Sequence, residues 1–117
     1  MKIGLIGLGI MGKPMAKNIL KNGYTDLLVN DHNQAPVAEL VACGAKAATN
    51  EEIGKTCDVV LTMLPNSPHV KSVMLGETGI ASYMHPGQVF IDMSSINPVA
   101  SKEVASELAK KNIAMLD

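Results

Sequence analysis

Gly7-Leu8-Gly9-Ile10-Met11-Gly12 places glycine at the first, third and sixth positions of a six-residue run. Each glycine meets a separate physical need. Gly7 permits a tight turn, Gly9 lets the backbone approach a pyrophosphate, and Gly12 allows a helix and a strand to pack closely. Glycines are common at turns, so the spacing gains meaning from its surroundings. The aliphatic run Lys2–Ile6 precedes it and reads as a strand. Met11, Met15 and Ile19 follow at helical spacing. A helix that starts there offers unpaired N–H groups and partial positive charge to phosphates.

Asp31 follows Gly12 by about 20 residues, where the dinucleotide pattern expects an acid. Its carboxylate would accept hydrogen bonds from ribose hydroxyls and repel a 2′-phosphate, which argues for NAD over NADP. His32, when protonated, would tolerate the extra phosphate and keeps NADP open. Asn30, Asp31 and His32 together close the second strand, so all three are candidate cofactor contacts.

Strands and helices must position these groups, and they alternate along the chain. After the first helix, ended by Asn22-Gly23, come a strand at Leu27–Val29 and a helix at Gln34–Ala42 stopped by Gly44. Lys46–Ala48 reads as a short strand. Thr49 or Asn50 caps a short helix with Glu51 and Glu52 in its first turn. Asp58–Leu64, nearly all apolar, suits a parallel strand covered on both faces. Pro65-Asn66-Ser67-Pro68 breaks it, and Val70, Val73 and Met74 suggest a helix. The strand Val89–Ile91 follows, then a helix from Asn97-Pro98 to about Lys111, and a last strand at Ile113–Leu116, just before Asp117. The expectation is one α/β domain over residues 1–117, a Rossmann-type doubly wound, mostly parallel sheet with helices on both faces.

Open α/β sheets bind ligands at the carboxyl ends of their strands. That adds Leu64, Pro65 and Asn66 after the fourth strand and Ser94 and Ser95 after the fifth. The serines offer hydroxyls where a nicotinamide ribose or a small substrate would lie; the plainer reading makes them a helix cap. His69 has no carboxylate at useful spacing, and Lys13, Lys17 and Lys21 read as solvated charges.

Composition excludes other classes. Ten Lys+Arg against eleven Asp+Glu give a net charge of −1, without the basic excess of a nucleic-acid binder. Aromatics are 3% and Trp is absent, so no stacking platform for single strands is expected. No run approaches the roughly 20 apolar residues of a membrane span, and no secretory signal is recognisable, so a cytoplasmic location is expected. Two cysteines, Cys43 and Cys57, make neither a disulfide framework nor a zinc site and read as small buried hydrophobes. No His/Cys/Asp/Glu set has metal spacing.

The segment Gly7–Asn18 (GLGIMGKPMAKN) resembles the amino-terminal signature of the β-hydroxyacid dehydrogenases, and the resemblance extends over the whole chain. Thr62–Val70 (TMLPNSPHV) and Phe90–Pro98 (FIDMSSINP) resemble the tartronate semialdehyde reductase branch, with the 3-hydroxyisobutyrate dehydrogenase branch as the alternative. The resemblance implies reversible hydride transfer between NAD(P)(H) and a small hydroxyacid or its semialdehyde. It implies that Gly7, Gly9, Met11 and Gly12 hold the pyrophosphate and Asp31 the ribose, with Leu8 and Ile10 of the same loop among the cofactor contacts. Leu64 and Pro65 would contact the cofactor through the backbone, Ser95 the cofactor, and Ser94 the substrate. NADP-favouring relatives often carry Asn-Arg where this chain has Asp31-His32. The family's general acid/base is a lysine on an all-helical second domain, and the resemblance places that lysine beyond Asp117. The expectation is therefore a coenzyme domain, inactive by itself, of a homo-oligomeric enzyme, with apolar surface exposed at the strand carboxyl edge and the last strand. A nucleotide-sensing module without catalysis is the other reading.

Overall fold

The computed structural model describes residues 1–65, 67–75, 77–94 and 98–116, the side chain of Ser67 excepted. The expected cofactor contacts Asn66 and Ser95 and the expected helix start Asn97 lie outside these residues. Asp117, taken above as the point beyond which the family's lysine would follow, lies outside them too, so the described structure leaves that expectation untested.

Six strands form one parallel sheet: β1 (Ile3–Ile6), β2 (Leu27–Asn30), β3 (Lys46–Ala47), β4 (Val59–Thr62), β5 (Val89–Asp92) and β6 (Ala114–Leu116). Their order is β3-β2-β1-β4-β5-β6. The chain builds outward from β1 in one direction, then returns to lay β4 on the other side of β1. Helices α1 (Gly12–Lys21), α2 (Gln34–Ala42), α3 (Asn50–Thr56), α4 (Ser67–Met74) and α5 (Pro98–Ala109) connect the strands, with a 3-10 turn at Ile80–Ser82.

The period-2 alternation of a strand sorts its side chains onto two faces. Ile3, Leu5, Leu27, Val29 and Leu61 pack with Ala16, Ile19, Val37 and Leu40 of α1 and α2. Ile6, Leu28, Val60 and Phe90 pack on the other face with Ile53, Val70, Met74, Val104 and Leu108 of α3, α4 and α5. Both faces are thus apolar and covered, as a parallel sheet requires.

Local signals set the ends of the helices. Thr49 Oγ1 accepts the Glu52 N–H at 3.1 Å, so Thr49 caps α3 and Asn50 is its first residue. Asn33 Oδ1 accepts the Ala35 N–H at 3.1 Å and caps α2. Helix α4 starts inside the segment expected to be a break. Pro68 is its second residue, where a missing N–H costs no helical bond. Helix α5 stops short of Lys111, and Asn112 takes the left-handed φ of 59° that turns the chain into β6. Lys13 and Lys17 of α1 are not merely solvated. They pair with Glu39 of α2 at 2.9 and 3.7 Å, and the hydrogen bond from Lys13 pulls the Glu39 carboxyl below its usual range. No described helix is long and apolar enough to cross a membrane.

The two cysteines differ. Cys57 is buried against Ile53 and burial raises its thiol pKa from the ordinary 9.0 to about 11, whereas Cys43 lies exposed at the end of α2. A thiol reagent should label Cys43 in the native protein and Cys57 only after denaturation. Between pH 9 and about 11 the unfolded chain loses the Cys57 proton while the folded chain keeps it. Stability should therefore fall as pH rises through that window, read as a declining denaturant midpoint, with Cys57→Ala flattening the decline. Phe90, with no exposure, fills the face under α5, and Phe90→Ala should cost about 3–5 kcal/mol in urea unfolding.

Candidate functional site

The register lines up Ile6, Asn30, Thr62 and Asp92 along the carboxyl edge of the sheet. Between β1 and β4 the connections depart in opposite directions, which leaves a crevice there for a ligand. A cleft of about 560 Å³ opens at this point. Its wall carries Gly7, Gly9, Ile10, Met11 and Gly12 from the glycine loop, Asn30, Asp31 and His32 from the end of β2, and Leu64 and Pro65 from the end of β4. Three segments far apart in the chain thus meet on one cavity.

The glycine loop is shaped by close approach. Gly7 has φ of 100°, and a Cβ there would strike the carbonyl oxygen of Met63. A Cβ on Gly12 would strike the carbonyl oxygen of Gly7. Gly9 differs: a Cβ there meets no protein atom within 4 Å, so no contact inside the described structure requires glycine at that position. Helix α1 begins without a side-chain cap and without an acid in its first turn. Among the described residues, the N–H groups of Gly9, Ile10, Met11 and Gly12 find no backbone acceptor. An open glycine and a row of unpaired donors at a positive helix end fit a diphosphate.

Leu8 takes part differently. Its side chain is buried with Leu5 and Val29, and its N–H donates to Asp31 Oδ2 at 2.5 Å. The other carboxylate oxygen of Asp31 accepts the Asn33 N–H at 2.9 Å. Asp31 therefore ties the glycine loop to the turn after β2 while still lining the cleft.

Ser94 is not on the cleft wall. Its Oγ accepts the Leu64 N–H at 2.6 Å, and its own N–H donates to Asp92 Oδ1 at 3.0 Å. Thr62 Oγ1 donates to the same oxygen at 2.8 Å. Asp92 and Thr62 are both buried, and Asp92 Oδ2 meets no donor among the described residues. This group braces the ends of β4 and β5 behind Leu64.

Asn50, Met63 and Val73 also line the cleft and escaped the sequence reading. Asn50 looked like a helix start, and Val73 and Met63 like core. His69, near the start of α4, lines it too, beside the cleft where its place in the sequence put it. Among the described residues no cluster of three or more His, Cys, Asp or Glu side chains is placed to hold a metal ion.

A parallel sheet in this strand order, with a glycine loop at its switch point and an acid on the neighbouring strand end, defines a dinucleotide-binding domain. The family model for the NAD binding domain of 6-phosphogluconate dehydrogenase matches residues 2–117, and the chain belongs to that family. Among curated proteins it is 44% identical to 2-(hydroxymethyl)glutarate dehydrogenase of Eubacterium barkeri, over 99% of this chain and 38% of that protein. It is 40% identical to the NAD-dependent L-serine dehydrogenase of Pseudomonas aeruginosa, over 99% of this chain and 39% of the relative. Among solved structures, 3-hydroxyisobutyrate dehydrogenase from Salmonella typhimurium superposes with a TM-score of 0.88 at 29% identity, covering 98% of this chain and 40% of that one. These are β-hydroxyacid dehydrogenases, as the resemblance implied, and the chain spans about two fifths of their length.

Two glycine variants separate frame from ligand contact. Gly9→Ala should leave the thermal midpoint within a degree or two yet lower NADH affinity at least tenfold in calorimetric titration. Gly12→Ala should lower the midpoint itself, because its methyl meets a backbone carbonyl.

Proposed function

We propose that this chain is the coenzyme-binding domain of an NAD-dependent dehydrogenase that interconverts a small β-hydroxyacid and its semialdehyde. The observation that carries the reading is the single cleft on which the glycine loop and Asp31 meet. NAD(H), when bound, supplies or takes up the hydride. The residues present bind and orient it: the loop N–H groups of Gly9–Gly12 take the diphosphate, Asp31 the adenosine ribose, and Leu64 and Pro65 present backbone to the remainder.

Substrate chemistry is read from the names of the relatives. 2-(Hydroxymethyl)glutarate, L-serine and 3-hydroxyisobutyrate are all HO–CH2–CH(R)–COO⁻, differing only in R. Glycerate is the member with R = OH, and its aldehyde is tartronate semialdehyde, the pair suggested by Thr62–Val70 and Phe90–Pro98. In reduction the aldehyde carbon gains hydride and its oxygen gains a proton. The titratable side chains on the described cleft wall are Asp31, His32 and His69, with no lysine among them. The reading therefore takes the proton, the substrate carboxylate contacts and the homo-oligomer contacts from a helical domain beyond Asp117.

Calorimetric titration of the chain should give NADH binding about tenfold tighter than NADPH, roughly 1.4 kcal/mol. Equal binding of the two overturns the preference assigned to Asp31, and binding of neither overturns the site. The 117 residues alone should not oxidise glycerate with NAD; measurable turnover would sink the assignment of proton transfer to another domain. Steady-state comparison of glycerate, L-serine and 3-hydroxyisobutyrate on the longest natural chain then tests R = OH.

A further inference from the structure

Asn50 lies on the cleft wall beside the residues that close β2, and nothing so far has given it a task. Its orientation can be deduced. The Asp31 N–H, which can only donate, points at one side-chain atom of Asn30 at 3.0 Å, so that atom is the oxygen Oδ1. The other atom of Asn30 is then the nitrogen Nδ2, which must donate, and it meets the Asn50 side chain at 2.6 Å. The atom of Asn50 that receives it is therefore Oδ1. One backbone N–H thus fixes two amides, whose ends are otherwise assigned only by their hydrogen-bond partners.

Asn50 Nδ2 is what remains. It carries two N–H donors and finds no acceptor among the described residues, on a side chain that lines the cavity. The neighbouring Asp31 offers an acceptor on the same wall. A donor and an acceptor on one cleft wall suit the adenosine end of a dinucleotide. There a ribose hydroxyl can donate to Asp31 and accept from Asn50, or a ring nitrogen of the purine can accept from Asn50. The donor in question is a side-chain amide, independent of the short helix it begins.

We propose that Asn50 is a specificity-determining contact for the adenosine moiety, donating from Nδ2 to a neutral acceptor on it, and that Asn30 is the positioning residue that keeps that donor turned into the cleft. The inference rests on the dinucleotide reading of the cleft. It adds a polar contact on the start of α3 to the glycine loop and Asp31.

The test is titration of the 117-residue chain and its variants with NADH, AMP and 2′-deoxy-AMP, each variant checked by thermal unfolding. Asn50→Asp keeps the acceptor for Asn30 and replaces the N–H donors by an oxygen. Its added acid in the first turn of α3 favours the helix, so folding is retained. Asn50→Ala removes the donor without adding charge. Both should weaken NADH and AMP about five- to tenfold, the size of one net hydrogen bond, with the thermal midpoint little changed. Asn30→Asp should do the same through Asn50, because an oxygen facing Asn50 forces its amide to turn over and present Oδ1 to the cleft. A loss seen with AMP but absent with 2′-deoxy-AMP identifies the 2′-hydroxyl as acceptor; a loss with both identifies the 3′-hydroxyl or a ring nitrogen, which 3′-deoxy-AMP then tells apart. Wild-type affinity in both Asn50 variants, with NADH binding intact in the parent chain, overturns this inference alone. Wild-type affinity in Asn30→Asp overturns the positioning role of Asn30. Failure of the parent chain to bind NADH removes the dinucleotide reading and this inference with it.

Discussion

The turn from β1 into α1 has no room for a side chain at either end, and the rest of the site depends on that constraint. Gly12 sits against the carbonyl of Gly7, and Gly7 against the carbonyl of Met63, so strand, helix and the end of β4 are drawn into contact through bare backbone. The close approach points α1 at the crevice between β1 and β4. Its N–H groups without a backbone acceptor therefore face the cleft rather than a neighbouring loop. A larger residue at Gly7 or Gly12 would move the helix start, and with it the positive end that opens on the cleft.

Around this turn, polar side chains act as braces between segments that the sheet alone would leave loosely joined. Asp31 spans the glycine loop and the turn after β2, while Ser94, Asp92 and Thr62 lock the end of β5 to the end of β4. Gln88 does the same at the opposite end of the sheet. Its buried amide donates to the carbonyls of Gly54 and Cys57, both at 2.7 Å, and its Oε1 accepts the His85 N–H at 2.5 Å. Gln88 and Asp92 are each placed where a strand end or helix end leaves backbone groups to be satisfied. The same logic places Ser94 behind Leu64 rather than on the open wall of the cleft.

Much of this was legible beforehand because the signals are local. The glycine spacing, the apolar run Asp58–Leu64, the stops at Gly23 and Gly44 and the acid at Asp31 act through backbone freedom, strand burial and strand-end chemistry within a few residues of themselves. The parallel sheet with helices on both faces followed from alternation of strands and helices, since parallel connections have few allowed routes, whereas the strand order came from the structure. The start of α4 was missed because two prolines outweighed the tolerance of a helix's first turn for proline. The exposure of Cys43 was missed because cysteine type predicts burial only on average.

From the sequence by itself came the fold class, the family resemblance, the glycine loop and the acid that faces it. All of these are written in stretches short enough for propensity and spacing to fix. Tertiary structure decided which of the other polar side chains line the cleft. Asn50 entered the cleft and Ser94 left its wall because of partners 20 and 30 residues away, Asn30 and Leu64. Leu8 and Asp31 likewise became one contact only when β1 and β2 paired. Hydrogen bonds across such separations depend on strand register and helix placement, quantities set by the packing of two whole cores and by no single segment of the chain.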